Sequence, residues 1–339
     1  MKILITGGAG YIGSHTIIEI LQNTNWEVVS VDDYSTSSEE TYDRIEAVTG
    51  QQVNYHKVDL KNYEALIEII RSYTDIIGVI HFAAHKWVGD SVENPLKYYE
   101  NNVGGLVNVL KAQVACQIPN FIFSSSCSVY GNITELPVTE DSELGKAESP
   151  YAYTKQLGER MIEDFIKSQA TKKAISLRYF NPVGAHLTGL NGEVQPKPNN
   201  LLPYITQTAI GKIDGFTVYG SDYPTRDGSC IRDYIHVSDI AEAHVLALKK
   251  LIDDKETEDY DVINLGSGNG VSVFEIISAF EKENGIQLNY TVGPRRDGDV
   301  ESIYADSKKA KDKLGWEPKY TVKEMVTSAW KWEKKNYEK

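Results

Sequence analysis

Three cysteines in 339 residues (Cys116, Cys127 and Cys230), with no Cys-x-x-Cys pair, leave neither a disulfide framework nor a thiolate metal cage. No apolar run approaches the length of a membrane span. The chain enters a strand-like run at residue 2, which leaves no signal peptide and makes a reducing cytoplasm the expected compartment. Basic residues are outnumbered, 35 against 48 acidic ones, for a net charge of -13. A face for non-specific binding to nucleic acid or to an acidic membrane is therefore not expected. No Gly-x-x-x-x-Gly-Lys-Ser/Thr loop occurs, which argues against a nucleotide hydrolase. His81 and His85 straddle a strand end with no third ligand in view, so no metal is expected. Without secretion the Asn132-Ile-Thr134 sequon is idle. Internal repeats and low-complexity tracts are absent.

The first dozen residues carry a strong signal. An apolar run, Lys2-Ile-Leu-Ile-Thr6, feeds the turn Gly7-Gly8-Ala9-Gly10-Tyr11-Ile12-Gly13 and then a helical pattern through Ile17, Ile18 and Leu21. A second strand, Trp26–Val31, ends at Asp32-Asp33. This is a dinucleotide-binding βαβ unit. Gly7 permits the tight turn, Gly10 lets a pyrophosphate approach the backbone, and Gly13 allows close helix–strand packing. The helix start offers N–H groups and a partial positive charge. Asp32, nineteen residues past Gly13, is placed to accept hydrogen bonds from an adenosine ribose, and its charge repels a 2′-phosphate. NAD is favoured over NADP.

Tyr151-Ala-Tyr-Thr-Lys155 lies downstream of Ser124-Ser-Ser126. Ser149-Pro150 opens it as an N-cap followed by proline at the first helical position. Tyr151 and Lys155 then project from one helical face, with Tyr153 turned away. Lowering a tyrosine pKa from ~10 by two or three units takes roughly 3–4 kcal/mol. An ammonium at about 4 Å in an effective dielectric of about 20 supplies a term of that size. The pattern alone is common, and 21 tyrosines make chance matches ordinary, so its weight comes from the dinucleotide unit ahead of it.

Strand and helix patterns alternate through the first half, predicting a Rossmann-type doubly wound parallel sheet of α/β class. Further strands are expected at Val53–Val58, Ile76–Phe82, Phe121–Phe123 and Ala174–Phe180, with a long helix capped by Asn94 and begun at Pro95. From Asn181 the texture changes to a Gly-, Pro- and Asn-rich stretch as far as Asn200, a candidate binding loop. Residues 1–180 are predicted to form the cofactor lobe and 181–339 a smaller mixed α/β lobe, with some later segments returning to the first. Asp32, Asp59, Ala83–Lys86, Ser124–Ser126 and Phe180-Asn181 all follow predicted strands and should line one crevice. His236 and His244 are expected to be structural. Tyr98-Tyr99 is expected to serve in helix packing, and Arg295-Arg296 in phosphate binding.

The chain resembles the extended short-chain dehydrogenases/reductases, and within them the UDP-glucose (UDP-galactose) 4-epimerase family. The likeness rests on Gly7–Gly13, His81-Phe-Ala-Ala, Ser149–Lys155, Arg178-Tyr-Phe-Asn-Pro-Val-Gly-Ala-His186, Pro198–Tyr204, Gly220–Gly228, Arg232–Val237 and Pro294–Asp299. It implies reversible inversion at C4 of a UDP-hexose through a 4-keto intermediate with tightly bound NAD. It also implies that Ser126, Tyr151 and Lys155 are catalytic. Gly7, Gly10, Tyr11, Ile12, Gly13, Asp32 and Asp33 would hold the pyrophosphate and ribose, with Asp59 and Leu60 at the adenine. Phe82, Ala83, Ala84, Lys86, Asn101 and Ser124 would line the cofactor cleft, with Phe180 near the nicotinamide. Asn181, Asn200, Leu201, Arg232, Arg296 and Asp299 would hold the UDP. Related dehydratases carry Asp-Glu after the site serine or threonine, where this chain has Cys127-Ser128. A nucleotide-sugar decarboxylase on the same scaffold and a non-catalytic dinucleotide sensor are rival functions. Trp87 is expected to narrow the sugar pocket, and Ile303 sits at a size-setting position. Together they favour UDP-glucose and UDP-galactose over the N-acetylated pair, with a UDP-N-acetylhexosamine 4-epimerase as the competing reading. By analogy a homodimer would form through helices near Pro95–Gln113 and Pro150–Lys167, using Leu106, Val109, Met161 and Phe165.

Overall fold

The computed structural model describes residues 1–194, 197–254, 256–296 and 300–337. The chain opens as β1 (Lys2–Thr6), α1 (Tyr11–Asn23), β2 (Glu27–Asp32), α2 (Glu40–Thr49), β3 (Asn54–Lys57), α3 (Tyr63–Arg71) and β4 (Ile76–His81). It continues through α4 (Val88–Glu93), α5 (Pro95–Tyr98), a π turn (Tyr99–Gly104), α6 (Gly105–Ala115), β5 (Asn120–Ser124), α7 (Pro150–Lys167) and β6 (Lys173–Tyr179). Next come β7 (Asn181–Val183), α8 (Leu201–Ala209), β8 (Phe216–Tyr219), β9 (Ile231–Arg232), β10 (Tyr234–His236), α9 (Val237–Asp253) and β11 (Tyr260–Leu265). The last elements are β12 (Val271–Ser272), α10 (Val273–Asn284), β13 (Tyr290–Gly293), β14 (Ser302–Ile303), α11 (Lys308–Leu314) and α12 (Val322–Tyr337).

Seven strands form one sheet in the order β11-β6-β5-β4-β1-β2-β3, every pair parallel. The inner strands are apolar runs because helices cover both faces, so alternation would strand polar groups in the core. On one face Ile3 and Ile5 pack with Ile17 and Ile20 of α1 and with Ile240 and Leu248 of α9. On the other, Leu4, Val79 and Phe121 meet Leu66 of α3, Leu106 and Val109 of α6 and Ile162 of α7. A third core joins Ile205 of α8, Val218 of β8, Phe280 of α10 and Trp330 of α12. The doubly wound reading holds, and β11, from late in the chain, extends the sheet beyond β6 in parallel register.

Two local expectations are corrected. Asn94 stands at the start of α5, but its amide donates to Asp90 Oδ1 at 3.0 Å instead of capping the helix. The helix expected to run unbroken from Pro95 contains the π turn, a form that recurs at functional sites. That turn carries Asn102, whose side chain accepts from His85 N–H (2.8 Å) and donates to His85 C=O (3.0 Å) and to Thr154 Oγ1 (3.0 Å). It thereby ties the loop after β4 to α7. The Ser149 cap forms as expected, accepting from Ala152 N–H at 3.1 Å.

The surface expected for pairing is also corrected in its residues. Leu106 and Val109 are fully buried under the sheet, and Met161 and Phe165 are half-buried. Solvent instead meets Val88, Val92, Leu96, Val107 and Val114 along α4–α6 and Tyr153 on α7. Helical periodicity in a doubly wound fold marks the face turned to the sheet, so the stripe chosen from sequence was the inward one. Among the described residues no helix is long and apolar enough to cross a membrane.

Candidate active site

Because every strand of the main sheet runs the same way, the residues that follow them converge on one edge. Gly7 follows β1 with φ of 73°, and an added Cβ there would lie 2.7 Å from Ala83 N, in the turn after β4. A Cβ on Gly13 would lie 2.2 Å from the Gly7 carbonyl oxygen. Gly10 stands at the N-terminus of α1, and no side chain caps that end. Its first N–H groups, at Tyr11, Ile12 and Gly13, therefore face a turn in which Gly7, Gly8 and Gly10 carry no Cβ, the geometry that suits a pyrophosphate. Asp32 is buried, accepting from Ala9 N–H (3.0 Å), Tyr34 N–H (2.9 Å) and Ser37 Oγ (2.9 Å). Burial raises its pKa above the usual carboxylate range, and those three donors oppose the shift. Asp33 turns outward to Ser35 N–H at 2.8 Å.

Asp59 follows β3 and accepts from Lys61 N–H (2.9 Å), while Leu60 is buried and its carbonyl is held by Asn108 at 2.8 Å. Phe82 packs its ring 4.7 Å from that of His244, and Ala83 N–H bonds to Thr6 C=O at 3.1 Å. Ala84 and Lys86 share the same loop, and Asn101 donates to Asn102 Oδ1 at 3.0 Å. Lys86 pairs with Glu193 at 2.6 Å. Tyr11 OH donates to Gly184 C=O at 2.6 Å, and Asn191 donates to Ser14 Oγ at 2.9 Å. Residues 184–193 thus lie across the start of α1. These donors, the open helix end and the buried carboxylate fit a dinucleotide.

Ser124 ends β5; its hydroxyl meets Tyr179 OH at 2.8 Å, and its carbonyl accepts from Lys155 Nζ at 2.7 Å. Ser126 Oγ accepts from Ser128 N–H at 3.2 Å. Tyr151 and Lys155 share a face of α7, with Nζ 5.9 Å from the tyrosine ring centre and 4.9 Å from that of Phe123. The expected electrostatics are corrected here. Burial pushes the Tyr151 pKa well up, Tyr179 adds to the rise, and a hydrogen bond to Ser126 opposes it. Burial also brings Lys155 down to about 8, against the pull of Glu159. Lys155 Nζ is turned to the Ser124 carbonyl, and burial is the largest influence on both groups.

A second cluster forms where β7 pairs with β10 and β14 with β9. A cavity of about 270 Å³ is lined by Asn181, Asn200, Leu201, Arg232 and Arg296, so five of the six positions implied for UDP come together. Asp299, the sixth, lies outside the described residues. Arg232 donates to the carbonyls of Ile231 (2.9 Å) and Val300 (2.6 Å), and Arg296 stacks 5.5 Å over the Tyr219 ring. Phe216–Tyr219 of β8 also line this cavity, and sequence reasoning assigned them no role. The available signal was the alternation of Phe216 and Val218 with Thr217 and Tyr219, which the structure turns into two buried and two exposed side chains.

Phe180 is buried in the main core. Trp87, expected to narrow the sugar pocket, leaves its indole 45 % exposed and outside that cavity lining. Ile303 is buried, in register with Arg232, and likewise outside that cavity lining, so neither residue is placed where it would set sugar size. His236 caps α9 by accepting from Ser238 N–H at 3.1 Å, and His244 is buried with Nδ1 2.8 Å from the Ile240 carbonyl; both serve the fold. Tyr98 is buried, its hydroxyl donating to Trp87 C=O at 2.7 Å. Arg295 turns to Asp222 at 2.9 Å.

A family pattern described as GDP-mannose 4,6 dehydratase matches residues 4–329. The UDP-glucose 4-epimerase of Bacillus subtilis is 44% identical over 338 residues, covering 99% of this chain and 98% of that protein. This chain belongs to the UDP-glucose 4-epimerase family. A solved UDP-glucose 4-epimerase from Stenotrophomonas maltophila, with bound NAD and formylated UDP-arabinopyranose, superposes with a TM-score of 0.96 at 40% identity, covering 100% of this chain and 99% of that one. The enzyme from Bifidobacterium longum, in complex with NAD+ and UDP, gives 0.93 at 41% identity, with 99% of each chain covered. Within the family, Cys127-Ser128 beside Ser126 places no carboxylate where a dehydratase would need an acid–base pair. Burial also pushes the Cys127 thiol up to about 12, so it offers no anionic base either.

Proposed function

We propose that this chain interconverts UDP-glucose and UDP-galactose by reversible inversion at C4, with NAD as a tightly held cofactor. One observation carries the reading: Ser126, Tyr151 and Lys155 gather where β5 ends and α7 begins, outside the lining of the cavity that holds Asn181, Arg232 and Arg296. Chemistry and anchoring are thereby divided. A 4-keto sugar must turn over between removal and return of hydride, so sugar contacts are loose while the nucleotide is held firmly.

NAD, when bound, supplies the hydride acceptor and returns the hydride, so none is consumed. Tyr151 takes the proton of the 4′-hydroxyl, and Ser126 holds that oxygen. Lys155 would reach the cofactor ribose, and its ammonium together with the nicotinamide cation of bound NAD⁺ would have to offset the burial that raises Tyr151. Gly7, Gly10, Gly13, Tyr11 and Ile12 hold the pyrophosphate, Asp32 and Asp33 the ribose, and Asp59 and Leu60 the adenine side. Asn181, Asn200, Leu201, Arg232 and Arg296 hold UDP. We take residues 1–180, joined by α9 and β11 from later in the chain, as the cofactor lobe, and the rest of 181–339 as the lobe that closes over the nucleotide sugar. The free cysteines suit a reducing cytoplasm.

Incubating the pure protein with UDP-galactose alone tests the activity. UDP-glucose is expected, and its absence even after NAD⁺ addition would sink the assignment. Loss of water or CO₂ from the product would turn the reading to a dehydratase or a decarboxylase. Arg232→Gln is expected to raise KM for the UDP-sugar roughly 10- to 100-fold, because a charge-assisted contact to phosphate is worth about 1.5–3 kcal/mol. Its kcat should change little, since the anchor is equally engaged before and during the chemistry.

A homodimer is part of the same reading. The exposed Val88, Val92 and Leu96, continuous with Tyr153 on α7, form an apolar surface suited to a second copy. Leu96→Glu is expected to convert a dimer to a monomer by light scattering at micromolar protein. A wild-type monomer would remove the proposal.

A further inference from the structure

α7 carries a third polar residue on the face that presents Tyr151 and Lys155. Glu159 stands one turn further along and is 5 % exposed. Its Oε1 accepts from Ser125 Oγ at 2.5 Å and from Arg178 Nε at 2.9 Å, and its Oε2 from Arg178 Nη2 at 2.7 Å. Arg178 is also buried; its Nη1 donates to Tyr130 OH at 2.9 Å, and that hydroxyl donates to Asn264 Oδ1 at 2.7 Å. Ser125 is the middle residue of the turn after β5. On one side Ser124 gives its carbonyl to Lys155, and on the other is Ser126.

A buried ion pair is a weak device for stability, because well-packed apolar residues of similar volume do as well or better. Its position is more informative. The fork clamps the turn that presents Ser126 and the Ser124 carbonyl, so small shifts in it would move both catalytic partners of Tyr151.

We propose that Glu159 is a positioning residue of the reaction, fixing the Ser124–Ser126 turn through Ser125 and Arg178 and holding Lys155 as an ammonium. This rests on the epimerase reading above. The groups facing Lys155 are few. Tyr151 shares its helix; His81 of β4 and His244 of α9 are neutral, their pKa values pushed down by burial to about 3 and about 4. Tyr179 of β6 is neutral, pushed up to about 12, and Arg178 of the same strand is held by Glu159 itself. Among the described residues Glu159 is the anion that acts on Lys155.

The test compares Glu159→Gln, Glu159→Asp and Ser125→Ala with the parent enzyme, each as the full chain. kcat and KM for UDP-galactose are followed between about pH 6 and 10, together with NAD⁺ affinity over the same range and melting temperature. For Glu159→Gln, kcat is expected to fall roughly 10- to 100-fold, as for a misplaced catalytic group, with KM little changed. Its alkaline limb should move about one pH unit lower in both kcat and NAD⁺ affinity, because Lys155 then loses its proton sooner. Glu159→Asp, which keeps the charge and shortens the reach, should restore the limb but not kcat. Ser125→Ala should lower kcat several-fold without moving the limb. A Glu159→Gln enzyme that melts lower but keeps the parent's kcat and limb would overturn the proposal, as would a Ser125→Ala enzyme at full kcat if Glu159→Gln fails to fold. A parent enzyme that binds NAD⁺ but does not epimerise would instead sink the functional reading, leaving the pH dependence of NAD⁺ affinity to judge Glu159.

Discussion

Tyr151→Phe is expected to lower turnover of UDP-galactose by roughly 10²- to 10⁴-fold, the usual worth of a positioned general base. The phenyl ring fills the same space, so the fold and NAD content should be those of the parent. Only the ionisable oxygen and its hydrogen bond to Ser126 are lost. The size of the effect follows from the burial of the site. No water can substitute efficiently as base where the phenol is desolvated, and neighbouring Tyr179 and Cys127 are held neutral near pH 7, each pushed up to about 12. Tyr153 is the control. It is 48 % exposed and packs edge-on against Tyr99, so Tyr153→Phe should leave kcat within about two-fold. Steady-state rates with matched NAD content decide it, and a crippled Tyr153→Phe beside a normal Tyr151→Phe would reverse the assignment.

Gly13→Ala is expected to reduce NAD⁺ affinity by at least roughly 100-fold, a cost of about 2.7 kcal/mol or more. The added methyl would stand 2.2 Å from the Gly7 carbonyl oxygen and 2.9 Å from Gly8 Cα. Both obstacles are backbone, so no rotamer change relieves the clash, and α1 must move away from β1. That motion opens the turn whose N–H groups are proposed to hold the pyrophosphate. Gly89→Ala in α4, where a methyl meets nothing within 4 Å, should leave affinity unchanged and serves as the control. Titration of cofactor-free protein, with circular dichroism to verify folding, gives the answer. Near-parent affinity for the Gly13 variant would show that the turn accommodates the methyl and is not the phosphate cradle.

The dinucleotide unit was legible because local chemistry dictates it. A strand run with Ile3, Leu4 and Ile5 at its centre, three glycines at fixed spacing and an acid nineteen residues on leave few other structures open. The Ser149 cap was legible for the same reason, since a serine before a proline and a helical pattern satisfies an end N–H locally. The Asn94 cap was misread because Asp90, one turn earlier, holds that side chain through its amide N–H, and the π turn carries Asn102, whose partners His85 and Thr154 lie far off in sequence. Leu106 and Val109 were misread as a pairing surface because periodicity tells which residues share a face but not which way it points. The Phe216–Tyr219 strand drew no functional attention, since its place in the cavity depends on pairing with Tyr290–Gly293, far along the chain.

Sequence alone determined the class of sheet, the glycine turn, the acid at the end of β2 and the common helical face of Tyr151 and Lys155, all consequences of period and short-range sterics. Tertiary structure decided what those groups experience. It turned Lys155 toward the Ser124 carbonyl and made burial the largest influence on Tyr151. It also closed Lys86 on Glu193, 107 residues apart, and set Glu159 against Ser125 and Arg178. A pKa depends on desolvation and on charges within a few ångströms, and those neighbours come from strands and helices that only the folded sheet brings to one edge.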